Sequence, residues 1–145
     1  MSRYKFENDY EFRDSIQDIF SACYERTSRA KKILDEAINC LPNKLDENYI
    51  SKKFNISKRW LQQECKKAYN ISYKKLFRIL RIYYAINLLY KTNLDNTQIA
   101  IEVSYTEESS MARDFRVVIG MNPGDVRIML ARMSPKELLL KYLLR

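Results

Sequence analysis

The sequence predicts an all-α protein: two helix-turn-helix subdomains joined by a long connecting helix, with extra N- and C-terminal helices. Three observations carry this expectation. Only two glycines (Gly120, Gly124) and three prolines (Pro42, Pro123, Pro135) occur in 145 residues, too few turn formers for a sheet protein. Hydrophobic residues make up 46%, enough for a folded core, and they recur at the period of amphipathic helices. Two stretches, offset by 49 and then 50 residues, repeat one arrangement of short helix, tight turn and second helix.

The elements follow in order. Between residues 9 and 27, Phe12, Ile16, Ile19, Phe20 and Cys23 form an apolar stripe opposite a polar face. In "SRAKKILDEAINCLPNK" the stripe is Ile33, Leu34, Ala37, Ile38 and Leu41, and Pro42 stops the helix. "LDENYISKKFN" is a short helix with Asp46 as its N-cap. Ser57 caps the next helix, its hydroxyl accepting an otherwise orphaned backbone N–H. Asn70 ends that helix, because Asn tolerates the left-handed conformation of a C-terminal turn.

"SYKKLFRILRIYYAINLLYKT" is about 20 residues, roughly 30 Å as a helix. Its stripe is Leu76, Phe77, Leu80, Tyr84, Ala85, Leu88 and Leu89. After "NLDN" come a short helix, "TQIAIEV", and a turn at Ser104-Tyr105. The helix "TEESSMARDFRVVI" turns Met111, Phe115, Val118 and Ile119 inward, and Gly120 ends it. "NPGDVRIML" gives another helix. In "SPKELLLKYLLR", Ser134 is the N-cap, Pro135 takes the first position, and Glu137 completes a capping box. The expected organisation is a helical extension over residues 1–28, a tandem helix-turn-helix over 29–131, and a C-terminal amphipathic helix over 132–145.

The repeat matches residue by residue. Ile50 aligns with Ile99, Ser51 with Ala100 and Ile56 with Tyr105. Beyond the turn, Leu61 aligns with Met111, Cys65 with Phe115, Asn70 with Gly120, and Leu76 with Val126. A duplicated apolar pattern can arise in any bundle; the shared turn and matching ends point to a helix-turn-helix present twice. Successive major-groove faces of DNA recur about every 34 Å, close to the length of the connecting helix. Two reading helices on one such strut suit adjacent major-groove segments on one side of a duplex. The two half-sites need not be palindromic, because the two units differ.

Charge is unevenly distributed. The formal net charge is +8, yet residues 50–85 hold ten Lys/Arg against Glu64 alone. Residues 95–130 hold Arg113, Arg116 and Arg127 against six acids. A concentrated positive field implies a polyanionic partner, nucleic acid before membrane. Enzymatic chemistry is poorly served. There is no histidine, the usual general base and commonest metal ligand, and two late glycines cannot build a phosphate-cradling loop. Cys23, Cys40 and Cys65 show no metal or redox spacing and suit a reducing compartment. No apolar segment is long enough for a membrane span or forms a signal core. The expectation is a cytoplasmic protein without cofactor or metal.

These residues resemble the AraC/XylS family of bacterial transcription regulators, over about residues 30–130. The first half of that family's pattern stands here as "YISKKFNISKRWLQQECKKAYNIS". The connecting helix carries "LRIYYAINLLYKT", similar to its Arg-x-x-x-Ala-x-x-Leu-Leu stretch. The second half is "QIAIEVSYTEESSMARDFRVVIGMNPGDVR", similar to Ile-Ala, a turn, Phe-x-Arg-x-Phe, then Gly-x-x-Pro-x-x-Tyr-Arg. This chain departs from the pattern at Ser104-Tyr105 (Gly-Phe), Cys65 (an aromatic), Asn70 (Gly) and Val126 (Tyr). The resemblance implies binding to double-stranded promoter DNA, activation through RNA polymerase, and, with so few residues ahead of the domain, no sensory barrel.

Candidate DNA-binding residues follow. Arg59, Gln62, Gln63 and Lys66 stand at i, i+3, i+4 and i+7, while Leu61 and Cys65 hold the helix to the core. Arg pairs with guanine O6/N7 and Gln with adenine N6/N7, and the resemblance implies base contacts at Arg59, Gln62 and Gln63. Lys58, Lys66 and Lys67 suit phosphates, which fix register without reading sequence. Such a face ordinarily means solvation; the repeat and the resemblance weigh against that here. Trp60 is expected at the core edge. The matching positions in the second unit are Ser109, Ala112 and Arg113, with Glu108 before and Arg116 beyond. Of these only Arg113 is a strong reader. Glu107 and Glu108 suit a helix start but repel phosphate, although a glutamate can accept from cytosine N4.

Unequal roles are therefore expected, with the first unit supplying most affinity. The acidic second unit keeps open an alternative, a helical protein-interaction module that has lost DNA reading. The terminal stripes, Phe12, Ile16, Ile19 and Phe20 and then Leu138, Leu139, Tyr142 and Leu143, either pack onto the core or onto each other, or form a homodimer or partner surface.

Overall fold

Among the described residues every regular element is an α-helix: α1 (Tyr10–Ser21), α2 (Ser28–Cys40), α3 (Glu47–Phe54), α4 (Lys58–Tyr69), α5 (Tyr73–Lys91), α6 (Asn96–Glu102), α7 (Glu108–Ile119), α8 (Pro123–Met129) and α9 (Pro135–Tyr142). The structure is a computed structural model that describes residues 10–21, 28–43 and 46–143. Cys23, at the far end of the first expected helix, lies outside the described residues. The all-α expectation holds.

The helix ends are set by local chemistry. Asp46 Oδ1 accepts from the Asn48 N–H at 2.8 Å, and Ser57 Oγ accepts from the Trp60 N–H at 3.0 Å. Each satisfies one orphan donor of a first turn. α4 ends at Asn70 (φ 59°) and α7 at Gly120 (φ 75°), both left-handed. The expected capping box at Ser134 needs correction. Ser134 Oγ does accept from the Glu137 N–H at 3.2 Å. The Glu137 carboxylate, however, receives the Ser134 hydroxyl at 3.1 Å, a stronger neighbouring donor than the backbone it would otherwise cap. A full capping box opens α6 instead: Asp95 Oδ1 accepts from the Gln98 N–H at 2.8 Å, and Gln98 Oε1 from the Asp95 N–H at 2.9 Å.

The chain divides into two compact units. One takes in described residues up to Leu41 and from 46 to Leu80; the other takes in Pro42, Asn43 and the described residues from Arg81 on. In the first, α2 packs on α3 and α4, and α3 packs on α4. Phe12, Ile16, Ile19 and Phe20 of α1 are buried, and the Phe20 ring meets Tyr69 edge-on at 5.3 Å. The Tyr69 hydroxyl donates to the Ala30 carbonyl at 2.9 Å. Polar ties flank this core. Arg13 donates to Asn39, and Gln17 donates to Asp35 at 2.7 Å. Tyr49 donates to Glu36 at 2.7 Å. That bond, with Lys53 3.4 Å away, holds the Glu36 carboxyl below its ordinary range.

In the second unit α6 packs on α7, and Ile99, Ala100, Val103, Met111, Phe115, Val118, Ile119 and Val126 are buried. Leu138 and Leu139 of α9 are buried with them, while Leu140 is exposed. The N-terminal stripe thus packs within the chain, and the C-terminal one does so at Leu138 and Leu139, while Tyr142 and Leu143 are half-buried. Burying each such side chain contributes about 1.5–3 kcal/mol.

α5 departs from its expected single stripe. Ile79, Ile82, Tyr83, Ile86 and Asn87 are buried as well as the seven stripe residues. A helix apolar all round is one buried on all sides. α5 meets that condition only from Ile82 to Leu89, where every residue is buried; Lys74, Arg78, Tyr90 and Lys91 are exposed. The buried Asn87 amide is satisfied by the Tyr83 carbonyl at 2.9 Å, as buried polar groups require. Among the described residues no helix is long and apolar enough to cross a membrane.

Left-handed backbone costs about 1–2 kcal/mol for a residue with a bulky Cβ. Asn70→Val is therefore expected to lower unfolding stability by about that amount, and Asn70→Gly to match or exceed the parent. Urea denaturation followed by helical circular dichroism measures both.

Candidate nucleic-acid interface

The interface rests on a turn that occurs twice. Asn55 (φ 52°) and Ser104 (φ 65°) are left-handed at matching positions. The next residue closes each turn: the Ile56 N–H donates to the Ser51 carbonyl at 2.9 Å, and the Tyr105 N–H to the Ala100 carbonyl at 2.9 Å. The helix that follows keeps the same inward face in both units. Leu61, Cys65, Ala68 and Tyr69 are buried in α4; Met111, Phe115, Val118 and Ile119 are buried fifty residues later in α7.

The second turn has added supports. Arg81 donates to the Val103 carbonyl at 2.9 Å and to the Ser104 carbonyl at 3.0 Å. Its guanidinium lies 3.9 Å from the centre of the Tyr105 ring, a cation–π contact. Tyr105 in turn donates to Asp114 at 2.7 Å, and the Ser104 hydroxyl to the Pro42 carbonyl at 2.9 Å. Arg127 donates to the Leu94 carbonyl at 2.6 Å. Sequence reasoning counted Arg81 and Arg127 as charge and as members of the resembled pattern, without a structural partner. No periodicity reveals a side chain whose acceptor is a carbonyl more than twenty residues away.

On α4, Lys58, Arg59, Gln63, Lys66 and Lys67 are exposed and Gln62 is half-buried. An open cleft of about 460 Å³ is lined by Gln62, Gln63, Lys66, Lys67 and Ser72, so the structure brings together four of the expected residues. It adds Ser72, whose hydroxyl accepts from the Lys75 N–H at 3.1 Å. Two expected residues have partners inside the unit. Lys58 stands 3.9 Å from Glu47, an exposed pair worth little. The Gln62 side-chain oxygen accepts from the Tyr73 N–H at 3.1 Å, which supports the first turn of α5. Trp60 is 49% exposed rather than at the core edge. Its indole donates to Glu64 at 3.0 Å, and Arg29 lies 5.7 Å from the ring centre. Helix spacing places residue 60 away from Leu61 and Cys65, and these polar partners hold the ring there.

Cys65 is the inward anchor where the resemblance has an aromatic. Burial, and secondarily the charge of Glu64, push its thiol up to about 12, so it stays protonated and acts as a small apolar residue. Cys40 and Cys65 are free thiols. Among the described residues no group of side chains could hold a metal ion.

On α7, Glu108, Ser109, Arg113 and Arg116 are exposed and Ala112 is half-buried. The acids are engaged. Glu108 accepts from the Thr97 hydroxyl at 2.8 Å, and Glu107 from the Ser109 hydroxyl at 3.1 Å. α7 has no side-chain cap at its N-terminus. The cations of its outward face are Arg113 and Arg116, with Glu108 and Ser109 exposed on the same helix.

A family model described as a helix-turn-helix domain, of the AraC type, matches residues 50–129, more than half of the chain. The match runs from Ile50 in α3 to Met129 in α8 and takes in both turns. No curated protein and no solved structure matches.

Two outcomes follow from this geometry. Gln62→Ala is expected to lower stability by about 1 kcal/mol, the net worth of a lost hydrogen bond, while Gln63→Ala leaves it unchanged; urea titration separates them. In native protein at pH 8, Cys65 is expected to resist a thiol reagent until unfolding exposes it, as followed by mass spectrometry.

Proposed function

The chain belongs to the AraC/XylS family of helix-turn-helix DNA-binding transcription regulators, and from that premise we propose that it reads promoter DNA through two unequal units. α4 enters one major-groove segment and supplies most of the affinity. α7 enters the adjacent segment and adds modest specificity. The carrying observation is the outward face of α4, where Arg59, Gln63, Lys66 and Lys67 are exposed together on a helix anchored by Leu61 and Cys65. Arg59 and Gln63 are the base readers; Lys58, Lys66 and Lys67 meet phosphate. On α7, Arg113 reads a base and Arg116 meets phosphate, with Ser109, Ala112 and Glu108 beside them.

With the α1 stripe and Leu138 and Leu139 of α9 buried, a single chain engages both segments, and no homodimer through the terminal helices is required. Regulation is by activation: the protein binds near a promoter and recruits RNA polymerase. A second reading gives the second unit a protein partner instead. It is favoured by the acids beside Arg113 and by the exposed Ile101, Val117 and Ile128 in that unit.

Selection of bound fragments from genomic DNA at physiological salt should recover a motif with two unequal parts about one helical turn apart. On that motif, Arg59→Ala and Gln63→Ala are expected to cost about 1–3 kcal/mol. Lys66→Ala weakens all sequences alike and lowers the salt slope by about 1. Arg113→Ala costs less than any of these. A larger loss from Arg113→Ala would remove the asymmetry. Weak, sequence-indifferent binding that vanishes with salt would favour the protein-interaction reading.

A further inference from the structure

The two units solve one problem in different ways. In each, the helix after the reading helix begins with a capped first turn: the Ser72 hydroxyl accepts from the Lys75 N–H at 3.1 Å, and Asn122 Oδ1 from the Asp125 N–H at 2.9 Å. The first residue of α8 is Pro123, which has no N–H to satisfy. The matching first residue of α5 is Tyr73, which does have one. The Gln62 side-chain oxygen accepts that N–H at 3.1 Å. The position matching Gln62 in α7 is Ala112, which has no polar atom. Acceptor and donor are thus present together in one unit and absent together in the other.

This bond fixes how Gln62 is oriented. A backbone N–H can only donate, so the atom facing Tyr73 is the side-chain oxygen, and the amide nitrogen is the other end of the group. That nitrogen has no partner among the described residues. It is also not among the polar atoms shut away without one. It therefore reaches the open cleft shared with Gln63, Lys66, Lys67 and Ser72.

Resting on the reading of α4 as a major-groove helix, we propose that Gln62 is a donor-only specificity residue. Its carbonyl is committed to Tyr73 and its two N–H groups face the DNA. The usual bidentate pairing of glutamine with adenine needs both an outward acceptor and an outward donor. Gln62 supplies only the donor. It selects a base edge whose acceptors are not flanked by a donor, guanine O6/N7 or thymine O4, over adenine, whose N6 amine stands beside its single N7 acceptor, and over the cytosine N4 amine. Gln63, one residue on and exposed, keeps both ends and remains the adenine reader of the pair.

Gln62→Glu tests this, because a carboxylate still accepts from Tyr73 while its other oxygen turns the outward donor into an acceptor. Parent, Gln62→Glu and Gln62→Ala proteins are each used to select bound duplexes from a randomised pool at one salt concentration. Urea titration of each checks the fold. The parent is expected to select guanine or thymine at one base pair. Gln62→Glu is expected to move that pair toward cytosine by about fivefold or more, within the range of one base contact, with neighbouring positions unchanged. Gln62→Ala is expected to lose preference at that pair alone. An unchanged motif in both variants, with only a uniform loss of affinity or stability, would show Gln62 to be a helix support and overturn the proposal. So would a parent preference for adenine at that pair, lost in Gln62→Ala. A parent that recovers no motif would sink the reading of α4 itself, a result distinct from either.

Discussion

Each unit depends on one residue held in left-handed backbone between two helices. At Asn55 and Ser104 the chain reverses into positive φ, and the next amide bonds back five residues to Ser51 or Ala100. That closure sets the angle at which the reading helix leaves the turn, and with it which side chains face outward. Neither residue is glycine, for which the conformation would carry no steric cost. Asparagine tolerates it intrinsically. Serine has no such preference, and Ser104 is held instead by its hydroxyl on Pro42 and by Arg81 on its carbonyl. The second unit thus replaces a backbone preference with tertiary hydrogen bonds, and Arg81 of α5 becomes a structural residue as well as a positive charge.

The same repeat has diverged in what its polar side chains do. In α4 the cations outnumber Glu64 four to one, and that acid is engaged by the Trp60 indole. In α7 two arginines stand against two acids, and Glu108 and Asp114 are hydrogen-bonded to Thr97 and Tyr105. Phosphate attraction is long-ranged and non-specific, so it follows the sum of charge. Base reading is short-ranged and follows single donors and acceptors. α4 thus carries a net positive charge and α7 none.

Much of the fold was legible because its causes are local. Asp46, Ser57 and Ser134 act as caps within three residues of their partners, and Asn70 and Gly120 end helices by their own backbone preferences. The inward faces of α4 and α7 follow helical period alone. Other features were not legible, for two physical reasons. A capping box depends on which nearby donor wins, so Glu137 went to a hydroxyl while Asp95 and Gln98 formed the full exchange. The unbroken burial of α5 from Ile82 to Leu89 depends on what surrounds it, and a periodic pattern within one helix does not encode that. The candidate interface shows the same division: the exposed row on α4 could be read from spacing, whereas the ties from Gln62 to Tyr73 and from Arg127 to Leu94 could not.

The sequence by itself determined the helices, their ends, the duplicated turn and the concentration of positive charge in residues 50–85, because each depends on residues near one another in the chain. Only the tertiary structure decided which polar groups remain available. A side chain eleven or more residues from its partner, such as Gln62 from Tyr73 or Arg81 from Val103, meets it only when packing brings the helices together. That packing turned the amide of Gln62 and made Arg81 the support of a turn, and it is also what buried the α1 stripe and Leu138 and Leu139 of α9.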